Sequence, residues 1–309
     1  MVMIASFSSS LVAQPTPLQH LHGEWLQGDV PVFMKREECR DALLGGNKWC
    51  KLQGWLVAAQ AQGIRRLVSV GGRWSNHLHA LAHAGRRFGF ETIGLVRGED
   101  LDTATMHDAA AAGMSLQLLS REAYRQRNEK QWQQEIEARF SPCLFIPEGG
   151  FGEQAQHGLS VLAAELVQQM EPYQGEICLA LPVGSGTTLL GLRKALPSRF
   201  HVLGFQVYAD AGLAQRLTAQ LGASRERNGW QLENAPAMRQ HRVLSADLQQ
   251  VMTQFQQQHH ILLDPIYTVR LIKGLQAWLL ERQRCFAGVV ALHTGGLQGR
   301  RGHAMAMAA

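Results

Sequence analysis

Short apolar, β-branched runs that each break off at a glycine-bearing turn constrain this chain most. LVSV stops at GGRWSNH, CLFIP at EGG, ICLALPV at GSGTT, and the run at 288–292 at HTGG. Longer amphipathic stretches separate them: SNHLHALAHAGRRFG, residues 103–112, and a polar helical stretch at 121–140. This is a βαβα rhythm, and strands that read as continuous apolar runs belong to mostly parallel sheets covered by helices. A second series follows, with a helix at Gln156–Gln169, a strand at Ile177–Val183, a helix at Thr187–Ala195 and a strand at 201–207. Residues 228–241 read as polar and irregular, 245–258 and 268–283 as helices, and 288–292 as a last buried strand. Ligands of such open sheets bind at the carboxyl ends of the strands, where the glycine turns fall.

At 309 residues with 46% hydrophobic and 18% charged content, the chain fits about two domains with ample core. Its apolar runs fall far short of the ~20 residues of a membrane helix, so no membrane partner is expected. The N-terminus is mildly apolar, but no basic segment precedes it and its first formal charge is Glu24, so the expected location is cytoplasmic. Cys39, Cys50, Cys143, Cys178 and Cys285 include no CxxC pair and read as free thiols. The net charge is +5, yet the basic residues are scattered; anionic small molecules fit better than nucleic acid.

In GGNKWCKL (45–52), Lys48 follows a diglycine and Asn47, with Lys51 one helical step on. Covalent chemistry by such an amine on a carbonyl cofactor needs a phosphate seat, a group at the ring nitrogen and a carboxylate site. The turn Gly184-Ser185-Gly186-Thr187-Thr188 between a buried strand and a helix is a phosphate cradle. It lacks a Walker lysine and fits the dinucleotide fingerprint poorly, because the third glycine, Gly191, comes late. Asp210, expected to end the next strand, keeps an NAD-dependent dehydrogenase as an alternative. In GGRWSNH, one of Ser75 and Asn76 can cap a helix, while Gly71 and Gly72 give a carboxylate or cofactor hydroxyl close access to the backbone. His79 and His83 share a helical face, but no HExxH glutamate, nearby acid or cysteine accompanies them. No metal is expected, and both read as surface residues; His77 matters as the neighbour of the Ser75-Asn76 turn. In LDPIYT, Tyr267 precedes a helix that Thr268 can cap, and Thr294 follows the last strand.

Together GGNKWCKL, GGRWSNH, PEGG, VGSGTTLLGL, LDPIYT and LHTGG, in that order, resemble the family of 1-aminocyclopropane-1-carboxylate deaminases and D-cysteine desulfhydrases. That family uses pyridoxal 5'-phosphate on the two-domain fold type II of the tryptophan synthase β type, with open, twisted, mostly parallel sheets and helices on both faces. The resemblance implies a larger cofactor-binding domain from residues 1–51 and 155–309, a smaller α/β domain at 52–154, and a homodimer. By the same resemblance, Lys48 would hold the cofactor covalently, Lys51 and Gly184, Ser185, Gly186, Thr187 and Thr188 would hold its phosphate, and Asn76 would bind the ring hydroxyl. Ser75 would meet the carboxylate of a small amino-acid substrate or help move a proton, Asn76 and His77 would complete that turn, and Tyr267 would lie by the ring.

Deaminases of the cyclopropane substrate carry a glutamate after the tyrosine and a leucine in HxGG; this chain has Thr268 and Thr294, the desulfhydrase pattern. A hydroxyl from Thr294 leaves the ring nitrogen neutral and the electron sink weaker, which suffices when a thiolate leaves the β carbon. The expected activity is β-elimination from D-cysteine or a β-substituted D-alanine, giving pyruvate, ammonia and sulfide or thiol. The alternatives are the cyclopropane deaminase and a cofactor-binding protein without lyase activity. Cys50-Lys51 replaces the family's Arg-Lys pair, and Leu78-His79 stands where an arginine is common at the second position. The tyrosine- and glycine-rich segment before LDP is missing.

Overall fold

The structure, a computed structural model, describes residues 14–23, 30–223, 229–236, 244–281 and 285–302. The strands are β1 (Leu18–Leu21), β2 (Val32–Arg36), β3 (Arg66–Gly72), β4 (Glu91–Arg97), β5 (Ser115–Leu119), β6 (Leu144–Ile146), β7 (Ile177–Val183), β8 (Phe200–Gln206), β9 (Trp230–Asn234) and β10 (Gly288–His293). The helices are α1 (Gly46–Ala61), α2 (Asn76–Phe88), α3 (Ala104–Ala111), α4 (Arg121–Arg125), α5 (Lys130–Phe140), α6 (Gln156–Gln169), α7 (Thr187–Ala195), α8 (Leu213–Leu221), α9 (Ala246–His259) and α10 (Thr268–Glu281).

Two sheets form, one ordered β1-β2-β10-β7-β8-β9 and one ordered β5-β4-β3-β6. All neighbours run parallel except the β1–β2 pair. In β7, β8 and β10 every residue is buried, as expected of central parallel strands covered on both faces. Leucines of α6, α7 and α8 cover one face of the six-stranded sheet; Leu248, Phe255, Leu271 and Leu275 of α9 and α10 cover the other. The four-stranded sheet is likewise layered between α1, α2 and α3 and the pair α4 and α5.

Helix α1 ties the two layers together. Trp49, Leu52, Trp55 and Leu56 join the core of the four-stranded sheet, while Cys50 joins the core under α6. The α1–α6 approach depends on paired glycines: a Cβ at Gly54 would fall 1.9 Å from the Gln154 carbonyl oxygen, and one at Gly158 2.0 Å from that of Cys50. The expected division between residues 51 and 52 therefore falls inside a continuous helix. Beside it lies a buried charge cluster. Lys35 Nζ and Arg40 Nη2 each reach Glu165 Oε2 at 2.8 Å, and Arg40 Nε reaches Glu37 Oε2 at 2.7 Å.

Several local readings are corrected. The polar stretch at 121–140 is two helices, α4 and α5. The segment read as irregular contains β9, an edge strand whose only buried residue is Trp230, so no apolar alternation marks it. Asp210 lies beyond the end of β8 and pairs with Arg216 Nη2 at 2.5 Å. His79 is buried, not on the surface: Asp108 of α3 approaches its Nε2 to 3.4 Å, an acid distant in sequence, and the half-buried His83 ring packs 4.5 Å away.

Candidate active site

Every segment singled out by the sequence motifs converges on the carboxyl ends of β3, β6, β7 and β10, with α1 lying across them. Gly45, the residue before α1, has a φ of +67° that an ordinary side chain rarely adopts. The first turn of the helix presses on the end of β10: the Asn47 amide donates to the Thr294 carbonyl at 3.4 Å, and a Cβ at Gly46 would lie 2.9 Å from that oxygen. Asn47 Nδ2 then donates to Thr188 Oγ1 at 3.0 Å, and its Oδ1 accepts from Lys48 Nζ at 3.0 Å. Lys48 is thereby tied to the first turn of α7. Its amine also lies 5.7 Å from the centroid of the Tyr267 ring.

Gly186, with φ +85°, turns β7 into α7 and leaves the first amides of that helix free of helical partners. Ser185 Oγ and Thr187 Oγ1 are 2.9 Å apart at this turn. The loop after β6 closes over it, since a Cβ at Gly149 would lie 2.9 Å from Ser185 Oγ. The neighbouring Gly150 lies against Lys51 and His77. Lys51 is only 3% exposed and has no hydrogen-bond or ion-pair acceptor among the described residues. An anion is what such a buried ammonium lacks, and the hydroxyls and amides of the 184–188 turn supply matching donors.

Ser75 caps α2 by accepting from the Leu78 amide at 3.2 Å. Asn76 crosses to the other layer: its Oδ1 accepts from Gln298 Nε2 at 2.9 Å, and its Nδ2 would be 2.7 Å from a Cβ at Gly296. Thr294 is 6% exposed at the end of β10. Thr268 has a different role from the capping expected of it. Asp264, 1% exposed, caps α10, accepting from the amides of Ile266, Tyr267 and Thr268 and from the Thr268 hydroxyl. Tyr267 is thus held by a carboxylate whose lone pairs are spent on its own turn.

Tyr208 was missed in the sequence. Its hydroxyl lies 2.8 Å from that of Tyr267, their rings pack edge to face at 5.6 Å, and both lie within 3.6 Å of where a Gly184 Cβ would project. The signal was its place just past β8, the position at which strand ends deliver ligand-facing groups in such sheets. Burial pushes Tyr208 up to about 12 and Tyr267 well above the ordinary phenol value.

Burial lowers the Lys48 amine from 10.5 to about 8, with the Asp264 carboxylate opposing. Burial, and not a charge on Lys51, is what lowers it. Lys51 is itself held well below the ordinary value, first by burial and then by Lys48. The result is a lysine neutral enough to attack a carbonyl near neutral pH, beside a second buried amine whose charged form an anion would favour. These residues fit a phosphate-bearing aldehyde cofactor.

The comparisons with known proteins agree with this geometry. The family model "Pyridoxal-phosphate dependent enzyme" matches residues 10–295, and the chain belongs to that family. Its cofactor is pyridoxal phosphate. The chain is 24% identical to the bifunctional D-cysteine desulfhydrase/1-aminocyclopropane-1-carboxylate deaminase of Arabidopsis thaliana, over 96% of this chain and 80% of that one. It is also 24% identical to the D-cysteine desulfhydrase of Salmonella typhi, over 93% of each. The crystal structure of an ACC deaminase homologue superposes with a TM-score of 0.76 at 20% identity, covering 99% of both chains. The fold is thus that of the fold type II pyridoxal-phosphate enzymes.

Proposed function

We propose that this member of the family is a lyase acting on a small D-amino acid with a leaving group on the β carbon, D-cysteine or a β-substituted D-alanine. The products are pyruvate, ammonia and sulfide or another thiol. The observation that carries this reading is Thr294 at the end of β10, where a neutral hydroxyl stands and the nearby Asp264 carboxylate is fully engaged in its own turn. Relatives named D-cysteine desulfhydrase support it.

In this reading Lys48 would carry the cofactor, Lys51 and the 184–188 turn would hold its phosphate, Asn76 would bind its ring hydroxyl, and Thr294 would serve its ring nitrogen. Bound there, the cofactor supplies an electron-withdrawing ring that draws off charge from the substrate's α carbon. The substrate carboxylate lies at the amino end of α2, where Ser75 and the free amides of the first turn offer donors and a favourable dipole. Lys48, with its amine free, would accept the α proton. Its amine is the base because burial holds it near 8, so the neutral form is accessible at physiological pH. Tyr267, anchored by Asp264 and by Tyr208, limits movement over the reacting carbon. The carbon–sulfur bond then breaks, the electron pair leaves with sulfur, and water hydrolyses the released enamine to the keto acid and ammonia. A neutral partner at the ring nitrogen favours this route over ring opening, because charge departs with the thiolate.

A cytoplasmic homodimer, with the four-stranded sheet as the smaller domain, belongs to the same reading. Among the described residues no helix is long and apolar enough to cross a membrane. The test is a panel of D- and L-amino acids and aminocyclopropane carboxylate, assayed for keto acid. Turnover of D-cysteine or a β-substituted D-alanine is expected; turnover of aminocyclopropane carboxylate with none of these D-amino acids overturns the proposal.

A further inference from the structure

His77 is 2% exposed in the first turn of α2, and its two ring nitrogens have different surroundings. Nε2 lies 2.9 Å from Ser69 Oγ on β3, and the same hydroxyl reaches the Ile146 carbonyl at 2.6 Å. A serine hydroxyl has one proton to give, and the carbonyl can only accept. Ser69 therefore donates to Ile146 and accepts from His77, which places the imidazole proton on Nε2. Burial, with Lys51 and Lys48 nearby, keeps the ring neutral by holding it well below its ordinary value. Nδ1 is left as a bare lone pair. It is buried and has no hydrogen-bond partner among the described residues.

The complementary group stands across Gly150. A Cβ on that glycine would be 3.3 Å from Lys51 Cβ, 3.6 Å from His77 Cε1 and 3.9 Å from His77 Nδ1, so the two side chains flank one residue. Lys51, whose ammonium has three N–H donors and no acceptor, thus stands on the other side of the residue that His77 packs against. A buried lone pair without a partner is costly, and the side chain of a residue rich in donors starts from the far side of Gly150. The next glycine, Gly149, borders Ser185 on the 184–188 turn.

We propose that His77, its tautomer fixed by Ser69, is a positioning residue that accepts a hydrogen bond from the Lys51 ammonium and aims that lysine at the cofactor phosphate. His77 then serves the phosphate end of the site, and the carboxylate of the substrate is left to Ser75 and the backbone of α2. This rests on the reading that Lys51 and the 184–188 turn take the phosphate.

The experiment titrates cofactor-free protein with pyridoxal phosphate and, separately, with pyridoxal, which lacks the phosphate. His77→Leu is expected to weaken pyridoxal phosphate about tenfold, the loss of one hydrogen bond to a charged group, while pyridoxal binding changes about twofold or less. Ser69→Ala shifts the same ratio in the same direction by about threefold, because either tautomer becomes available. His77→Gln, which keeps an acceptor, restores part of the difference. Equal losses for both ligands, or an unchanged Kd for pyridoxal phosphate with a raised KM for the amino acid, overturn the proposal. Lys51→Met is the separate control. If it leaves the preference for the phosphorylated ligand intact, the phosphate assignment itself fails; if it abolishes the preference while His77→Leu does not, only the His77 role fails. Should His77→Leu not fold, nitrogen-15 NMR of the wild-type holoenzyme decides, with a protonated Nδ1 on His77 contradicting the assignment.

Discussion

Replacing Lys48 by methionine should make the cofactor-free protein more stable, the reverse of the usual outcome for a central residue. Burial lowers this amine from 10.5 to about 8. Between those values the unfolded chain binds a proton that the folded chain does not, so stability rises with pH across that window. Below pH 8 the folded state carries the full penalty, and above 10.5 it carries none. At about 1.36 kcal/mol per pH unit the penalty is ~3 kcal/mol at pH 7. Methionine keeps most of the side-chain volume and removes the charge. It also relieves Lys51, which the Lys48 cation helps to hold below its ordinary value. Urea unfolding of wild type and Lys48→Met, both stripped of cofactor, measures this at pH 7, 9 and 10.5. The variant should be more stable by ~3 kcal/mol at pH 7, with the difference shrinking as pH rises. Equal stabilities at pH 7, or a gain that does not change with pH, would refute the claim that this amine is desolvated.

Gly158→Ala places a methyl group 2.0 Å from the Cys50 carbonyl oxygen, so α1 must shift off α6; a loss of about 3 kcal/mol or more in urea unfolding is expected, and wild-type stability would contradict the packing. Glu165→Leu leaves Glu37 as the one carboxylate among the described residues facing two buried cations, Lys35 and Arg40, and should cost about 3 kcal/mol by the same assay, whereas a neutral result would mean the cluster rearranges to hydrate them. Tyr208→Phe removes the partner of the Tyr267 hydroxyl; kcat/KM should fall about tenfold while pyridoxal phosphate affinity is retained, and parallel losses in both would place Tyr208 on the cofactor instead.

The layered fold was legible because its central strands are apolar throughout and stop at glycines. β7 and β10 needed no partner to be recognised, and α6 and α7 match their sequence ranges. β9 was not legible, because an edge strand reading WQLEN buries only Trp230 and looks like a loop. The individual site segments stood out as motifs, but their mutual arrangement did not. His79 read as exposed because the acid that meets it, Asp108, comes from the next helix. Tyr208 was passed over because its meeting with Tyr267 depends on how β8 and α10 pack, which no local pattern encodes. How far burial lowers the Lys48 amine was not legible, because desolvation is a property of the assembled layers.

The central claim is that Lys48 is the residue that carries the cofactor. Borohydride fixes pyridoxal phosphate irreversibly to the amine that holds it, and peptide mass spectrometry of the reduced holoenzyme then identifies that amine. The pyridoxyl phosphate group should appear on the peptide containing Lys48 and be absent from the Lys48→Ala protein. The group on Lys51 or any other lysine, or no modified peptide from a protein saturated with cofactor, would contradict the account.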